Sequence, residues 1–199
     1  YNQELGGHLY TRISNPTIAV LEQRIAALEG AVAATATASG MAALATALLV
    51  LCSQGDHIVA SSRMYGANIN LLENTLPRFG ITTSFIDPND LAGIENAIQP
   101  NTKVIFGEVI GNPGLDIMDV EAIAKIAASA GIPLMLDCTF NTPWLLKPLE
   151  LGANLIIHSS HSCDNHVSAI SFIDSFMYPS IEALIRSTHA HINSQTHTW

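Results

Sequence analysis

The apolar residues of this chain follow two patterns in turn. Between residues 57 and 160, short apolar runs such as HIVAS (57–61), KVIFGEV (103–109) and IPLMLD (132–137) are typical of buried strands. Segments with apolar positions at helical spacing, such as VEAIAKIAASAG (120–131), separate them, and Gly or Pro marks the connections. This alternation predicts an α/β fold with a mainly parallel sheet flanked by helices.

Two further helices are predicted before the alternating region. In NPTIAVLEQRIAALEG (15–30), Asn15 can cap the helix, Pro16 suits its first position and Gly30 ends it. MAALATALLVLC (41–52) follows the small-residue loop ATATASG and is too short to cross a membrane. Beyond about residue 172 the periodicity weakens, and the His-rich end is interpreted as a solvated segment. We therefore predict an N-terminal arm (1–15), a large domain (16–175) and a C-terminal segment (176–199) of undefined structure.

The composition narrows the classes of function. The chain has 199 residues, of which 48% are hydrophobic, so it can bury one sizeable core. Its formal net charge of −9 with only eight Lys and Arg argues against nucleic-acid binding. Three scattered Cys do not form a disulfide framework, which favours a cytoplasmic location. We expect no signal peptide, and the opening YNQELGGHLYTR suggests that part of the N-terminus is missing.

Polar residues collect at the predicted carboxyl ends of the strands, where ligands bind in open α/β sheets. They are Tyr65, Glu108 to Asn112, Asp137 to Thr139, and His158 to Ser160. A carboxylate such as Asp137 at the end of a buried strand is costly unless a cation meets it. A protonated heterocyclic nitrogen could be that cation, although a strand-end Asp that caps the next turn is the simpler interpretation of this residue alone.

Three other features could contact a flat, phosphorylated ligand. The stretch Ser39-Gly40-Met41 begins a helix whose free N–H groups could cradle a phosphate, or Ser39 is simply its N-cap. Arg12 with Tyr10 nearby could clamp a phosphate, or the two could be a solvated pair. The ring of Tyr65 could stack on a ligand, or it could be a partly buried core residue.

Taken together, several stretches resemble the Cys/Met-metabolism family of pyridoxal-phosphate (PLP) enzymes. In family order across residues 6 to 160 they are YTRISNPT, LEQRIAALEG, ATASGMAA, GDHIVASSRMYG, TLPRFGI, IGNPGLD, GIPLMLDCTFNTPWLLKPLELGA and NLIIHS. The resemblance implies the large domain of the aminotransferase-like PLP fold type I and dimers paired into tetramers. It also implies a small C-terminal domain that is truncated or absent in this chain.

The resemblance implies roles for individual residues. Asp137 would keep the pyridine nitrogen protonated, while Tyr65 would stack on the ring and take part in catalysis. The residues that would bind the phosphate are Ser39, Gly40, Met41 and Ser159, with His161 at the position of a family Thr. Asn112 and Thr139 would border the ring, and Glu108 could be structural. Tyr10 and Arg12 would reach the phosphate in the neighbouring subunit, with Tyr10 contributing to catalysis there.

Within the family, ATASG and IGNPGLD are most similar to the O-acetylhomoserine sulfhydrylase branch. The implied reaction is γ-replacement on an O-activated homoserine, in which acetate leaves and sulfide adds, as in methionine and cysteine biosynthesis. Methionine γ-lyase or cystathionine γ-synthase chemistry is the alternative, because these enzymes use nearly the same site. The expected partners are an amino-acid substrate and further copies of the chain, with no nucleic acid and no membrane.

One residue of the family pattern is missing. In the family, the Lys that forms the Schiff base with PLP is the last residue of the pattern His-Ser-x-Thr-Lys. In this chain His158 and Ser159 match the pattern, but the next three residues are Ser160, His161 and Ser162. The lysines of the chain lie in other elements, at Lys103, Lys125 and Lys147. The downstream register fits best if one residue is absent between His161 and Ser162. Our hypothesis is that a Lys covalently carrying PLP occupies that point and is left out of the one-letter sequence as a modified residue.

Two other interpretations of this stretch stay open. A chain that truly lacks the Lys would be a non-catalytic subunit with the PLP fold, because Ser and His form no stable imine. His161, Cys163 and His166, with His158 nearby, are also zinc-type ligands at short spacing. A structural zinc site usually pairs two separated clusters, which argues against the metal. A nucleophile pair of Cys163 and His166 is weaker still.

Overall fold

The computed structural model describes Tyr10, Thr11, residues 15–160 and the backbone of residues 168–172. The helices are α1 (Pro16–Glu29), α2 (Gly40–Leu51), α3 (Gly66–Asn70), α4 (Leu91–Ala97), α5 (Val120–Ala130) and α6 (Thr142–Leu145). The strands are β1 (Ala33–Thr37), β2 (His57–Ser61), β3 (Thr82–Ile86), β4 (Thr102–Glu108), β5 (Leu134–Asp137), β6 (Leu155–Ser159) and β7 (Ser168–Phe172).

The strands form one sheet in the order β1-β7-β6-β5-β4-β2-β3. Neighbours from β6 to β3 are parallel, and β7 runs antiparallel to both β1 and β6. The prediction of a mainly parallel α/β sheet is therefore confirmed. Because β4, β5 and β6 are parallel neighbours, their carboxyl ends meet at one edge of the sheet.

Two strands correct the sequence interpretation. Residues 33–37 were expected to be part of a loop, but they form β1, which pairs in register with β7 from Ala33 opposite Phe172 to Thr37 opposite Ser168. Strand β7 itself was not predicted. The two strands stabilise each other although they lie more than 130 positions apart in the sequence. Such pairing determines the structure of segments whose own preference for helix or strand is weak.

The spacing of ANINLLENTLPRFG (67–80) predicts one helix that stops at Gly80, but the structure is less regular. Helix α3 passes into a π-helical segment (Leu71–Thr75) and then a 3₁₀ turn (Leu76–Phe79) before Gly80 ends it with a positive φ of 73°. The stretch WLLKPLELG (144–152) also has a helix-like sequence, but it is divided into α6 and a 3₁₀ turn (Pro148–Leu151), because Pro148 cannot continue the hydrogen bonding of α6. The predicted cap of α1 is confirmed, since the Asn15 side chain accepts hydrogen bonds from the backbone of Thr17 and Ile18.

The core lies on both faces of the sheet. In β4, Val104 and Phe106 pack with α2 on one face, while Ile105 between them packs with α5 on the other. Each such side chain contributes about 1.5–3 kcal/mol by leaving water. None of the helices in the described part of the chain is long and apolar enough to span a bilayer. The domain boundaries at residues 15 and 175 stay predictions.

Candidate functional site

A cavity of about 210 Å³ lies at the edge where β4, β5 and β6 end, beside the first turn of α2. Predicted site residues that line it are Gly40, Met41, Tyr65, Asn112, Asp137, Thr139 and Ser159. The remaining lining residues are Asn68, Glu108, Ile110 and Phe140. The strand ends and the helix start thus bring together residues that are up to 119 positions apart, as the parallel topology requires.

Asp137 ends β5 and is held by a short series of hydrogen bonds. Its Oδ1 accepts from the backbone N–H of Thr139 at 3.0 Å and from the Thr139 hydroxyl at 2.6 Å. The Thr139 hydroxyl in turn accepts the backbone N–H of Ser159 at 2.9 Å, which joins the ends of β5 and β6. The simpler interpretation of Asp137 as a turn cap is therefore correct for Oδ1, and its other oxygen has only a 3.4 Å contact with the Asn68 amide.

Glu108 ends β4 and lies beside Asp137 in the register of the sheet. Its side chain accepts hydrogen bonds from the Tyr65 N–H at 2.7 Å, the Asn68 amide at 2.9 Å and the Asn112 N–H at 3.1 Å. Burial raises the pKa of Glu108 to about 7, and the negative charge of Asp137 adds to this while the three donors oppose it. The sequence left open whether Glu108 is structural, and in the structure it lines the cavity and binds three donors.

The first turn of α2 also lines the cavity, through Gly40 and Met41. Ser39 caps this helix, since its hydroxyl accepts the Ala42 N–H at 3.1 Å. The first intrahelical bond is donated by Ala43 to the Ser39 carbonyl, so the N–H groups of Gly40 and Met41 precede the helical ladder. The Ser39 side chain is thus an N-cap and is not among the cavity residues.

Tyr65 is 51% exposed and lines the cavity, so its interpretation as a core residue is wrong. Tyr10 is 56% exposed and is not among the cavity residues of its own chain. Arg12 and His161 lie outside the described residues, and their predicted roles stay predictions. So does the hypothesis of a Lys between His161 and Ser162, because that stretch is also outside the described residues.

The lysines present in the sequence do not substitute for the missing one. Lys103, Lys125 and Lys147 are all described, and their nearest carboxylates are Asp56, Glu121 and Glu150 on the outside of the sheet and helices. None of them lines the cavity. Within the described residues, no group of three His, Cys, Asp or Glu side chains is arranged to hold a metal ion. His161, Cys163 and His166 lie outside those residues.

A buried acid supports the strand that carries Ser159. Glu29 at the end of α1 is completely buried, and its Oε1 lies 2.5 Å from Nε2 of His158. This contact fixes α1 against β6 one residue before Ser159. The sequence offered no signal for the pair, because the two residues are 129 positions apart.

These features define the class of the protein: an α/β sheet with a small cofactor cavity at its carboxyl edge. The model of the family "Cys/Met metabolism PLP-dependent enzyme" matches residues 1–162. The chain is 46% identical over 153 residues to the O-acetyl-L-homoserine sulfhydrylase of Leptospira meyeri, a match that covers 77% of this chain and 35% of that protein. It is 43% identical over 157 residues to the L-methionine gamma-lyase of Fusobacterium nucleatum subsp. polymorphum, covering 78% of this chain and 40% of that protein.

The fold agrees with a solved structure of the same kind. An O-acetylhomoserine (thiol)-lyase structure from Campylobacter jejuni superposes with a TM-score of 0.82 and 39% identity, covering 85% of this chain and 43% of that chain. That structure contains N'-pyridoxyl-lysine-5'-monophosphate. The chain belongs to the Cys/Met-metabolism family of PLP-dependent enzymes, with the PLP fold type I, and it spans between 35% and 40% of the two curated relatives.

The described residues fit the family's cofactor. Within the described residues no Lys or Arg is paired with Asp137, so its weakly bonded Oδ2 can accept a hydrogen bond from a protonated ring nitrogen. Gly40 and Met41 line the same cavity, and the partial positive charge at the start of α2 favours a phosphate there. Tyr65 adds an exposed ring to this cavity.

Proposed function

We propose that this chain is part of an enzyme that performs PLP-dependent γ-replacement on an O-activated homoserine. The reaction is the displacement of acetate by hydrosulfide at Cγ: the C–S bond forms, the C–O bond breaks, and homocysteine and acetate are the products. The identities of about 45% to sulfhydrylases support this choice of branch. A PLP-dependent elimination is the second candidate, because the methionine gamma-lyase relative is similar at nearly the same level.

The observation that carries the proposal is that one cavity joins a carboxylate and a helix start. Asp137 at the end of β5, the first turn of α2 and Ser159 at the end of β6 all line it. PLP bound between them would supply an electron sink for the electrons released when a C–H bond of the amino acid breaks. We assign the ring nitrogen to Asp137 and the phosphate to the residues Gly40, Met41 and Ser159.

The remaining residues shape the site around the cofactor. The Thr139 hydroxyl bonds to both the Asp137 carboxylate and the Ser159 backbone N–H, so it sets the distance between these two residues. Tyr65 would stack on the ring, and its exposed phenol could exchange a proton with the substrate. Asn112 borders the ring from the loop after β4. Phe140 and Ile110 would exclude water from the same cavity.

The exposed apolar residues near the cavity support self-association. Leu115, Ile117, Trp144 and Leu145 are 66–92% exposed, which is uncommon for side chains of this size. A second copy covering this surface would bring Tyr10 and Arg12 of one chain to the cavity of the other, in a dimer or tetramer. Light scattering should give a mass of at least two chains, and Trp144→Lys should lower it. A monomeric wild-type protein would contradict this part of the proposal.

We further propose a cytoplasmic location.

The first experiment measures cofactor binding. PLP fluorescence and absorbance titrations should give saturable binding that weakens at least about tenfold in Asp137→Asn, because a hydrogen bond between charged groups contributes about 1.5–3 kcal/mol. Asp90→Asn is the matched control, since Asp90 is exposed and caps α4 through a side-chain oxygen that Asn retains. Equal affinities of the two variants would reject the assignment of Asp137.

The second experiment separates the candidate reactions. O-acetylhomoserine with sulfide should yield homocysteine and acetate, whereas elimination from methionine would release a thiol, ammonia and a 2-oxo acid. A protein that binds PLP and performs neither reaction is a non-catalytic subunit. Peptide mass spectrometry after borohydride reduction tests the Lys directly. A peptide mass that equals the written sequence across His161 and Ser162 would contradict its presence.

A further inference from the structure

The Glu108 carboxylate binds three donors from two segments of the cavity wall, α3 and the loop after β4. Its Oε1 accepts the Tyr65 N–H at the start of α3 and the Asn68 amide one turn later. Its Oε2 accepts the Asn112 N–H from the loop after β4. Glu108 is only 6% exposed, so these donors take the place of water. Since hydrogen bonds to an ionised acceptor are about twice as strong as neutral ones, the ionised form of Glu108 holds all three donors best.

A second carboxylate lies directly beside Glu108. Asp137 is the partner of Glu108 across β4 and β5, and the Asn68 amide reaches both side chains, at 2.9 Å and 3.4 Å. Among the described residues, the charged group that acts on Glu108 is Asp137 on β5, whereas Tyr65 contacts Glu108 through its backbone N–H. No described cation is paired with either carboxylate. Burial, with the Asp137 charge, raises the pKa of Glu108 to about 7.

We propose that Glu108 is a positioning residue whose ionised form holds Tyr65 and Asn112 in place around the ring, and that a cation bound against Asp137 keeps it ionised. A positive charge at Asp137 cancels the field that disfavours a second negative charge next to it. At neutral pH, the arrival of a protonated ring nitrogen therefore releases the Glu108 proton to solvent and tightens the wall. The second half of this inference rests on the proposed PLP site.

The positioning role has a test that needs no cofactor. In Glu108→Gln, the amide oxygen can still accept from Tyr65 and Asn68, but the amide NH₂ then faces the Asn112 N–H, and two donors cannot bond. Hydrogen exchange followed by NMR on the full chain should show about tenfold faster exchange at Asn112 and less than about threefold at Tyr65. Glu108→Ala should accelerate both sites. Glu95→Gln, at an exposed helical position, is the control. Equal exchange at Asn112 in wild type and Glu108→Gln would overturn the positioning role.

The charge coupling has a separate readout. The ¹³C shift of the Glu108 carboxyl group should titrate near pH 7 in the chain without PLP, and saturating PLP should lower the midpoint by about one unit or more. In Asp137→Asn the midpoint should be lower than in the wild type but still raised by burial, and PLP should change it little. An unchanged midpoint in wild type with PLP bound would overturn the coupling. Failure of PLP to bind would overturn the coupling together with the proposed function, while the exchange result at Asn112 would stand.

Discussion

Replacing Gly40 with Ala tests whether the close approach of α2 to β6 builds the phosphate end of the site. A Cβ added at Gly40 would lie 2.7 Å from the Cβ of Ser159 and 3.0 Å from its hydroxyl oxygen. Carbon atoms in contact lie about 3.5–4.0 Å apart, so the first turn of α2 must move away from β6 by about 1 Å. The obstacle is the Cβ of a strand residue, which cannot rotate aside.

This displacement has an expected cost in stability and in binding. Overpacking of a well-packed contact costs about 1–3 kcal/mol. A loss of about 2 kcal/mol lowers the midpoint of thermal unfolding by roughly 4–8 °C in a chain of this size. The N–H groups of Gly40 and Met41 move with the helix, so PLP affinity should fall about tenfold or more as their hydrogen bonds to phosphate weaken.

Gly66→Ala is the matched control for this prediction. Gly66 is also the first residue of a helix, and an added Cβ there has no atom within 4 Å. Differential scanning fluorimetry and a PLP titration on both variants measure the two effects. If Gly40→Ala unfolds and binds PLP like Gly66→Ala, the reasoning about the helix start is refuted.

Three further predictions concern one buried residue away from the site and two residues that support it. Burial lowers the pKa of His57 below its usual 6.5, so protonation favours the unfolded chain. In urea unfolding, the free energy of unfolding should therefore fall as the pH drops below about 6.5, and this fall should be smaller in His57→Gln. Thr139→Val should weaken PLP binding about tenfold and lower the free energy of unfolding by about 1–3 kcal/mol, because the Ser159 N–H loses its acceptor. Thr139→Ser should restore both quantities, and equal values for the two variants would contradict this. Arg63 bridges Asp87 and Asp116, each at 2.7 Å, and Asp116 lies on the loop that carries Asn112. Arg63→Lys should therefore speed proteolysis of this loop with little change in thermal stability, and unchanged proteolysis would argue that Arg63 does not hold the loop.

The parts of the fold that the sequence predicts well are those with local signals. Asn15, Gly30 and Gly131 mark helix ends by cap chemistry, and the apolar runs identify the buried parallel strands. The paired strands β1 and β7 lack such signals, because Ala and Thr fill β1 and its partner lies far along the chain. Their pairing depends on long-range contacts that no short window contains.

The residues of the candidate site also divide into those with a local sequence signal and those without one. Asp137 and Ser159 were predicted because strand ends in a parallel sheet converge. Asn68 was missed since an Asn in a helix has no distinctive pattern, and it enters the cavity only through the way α3 lies against β4. Glu108 was underestimated because its importance comes from three partners that meet only in the folded chain. The Ser39 hydroxyl caps its own helix, and the predicted phosphate contact of Ser39 stays a prediction.

A crystal structure of the protein with PLP tests the central claim most directly. The account predicts the ring nitrogen about 3 Å from the Asp137 carboxylate. It also predicts the phosphate at the N–H groups of Gly40 and Met41 near the Ser159 hydroxyl, with the ring against Tyr65. PLP bound with its phosphate at Asp137, or bound outside this cavity, would contradict the account.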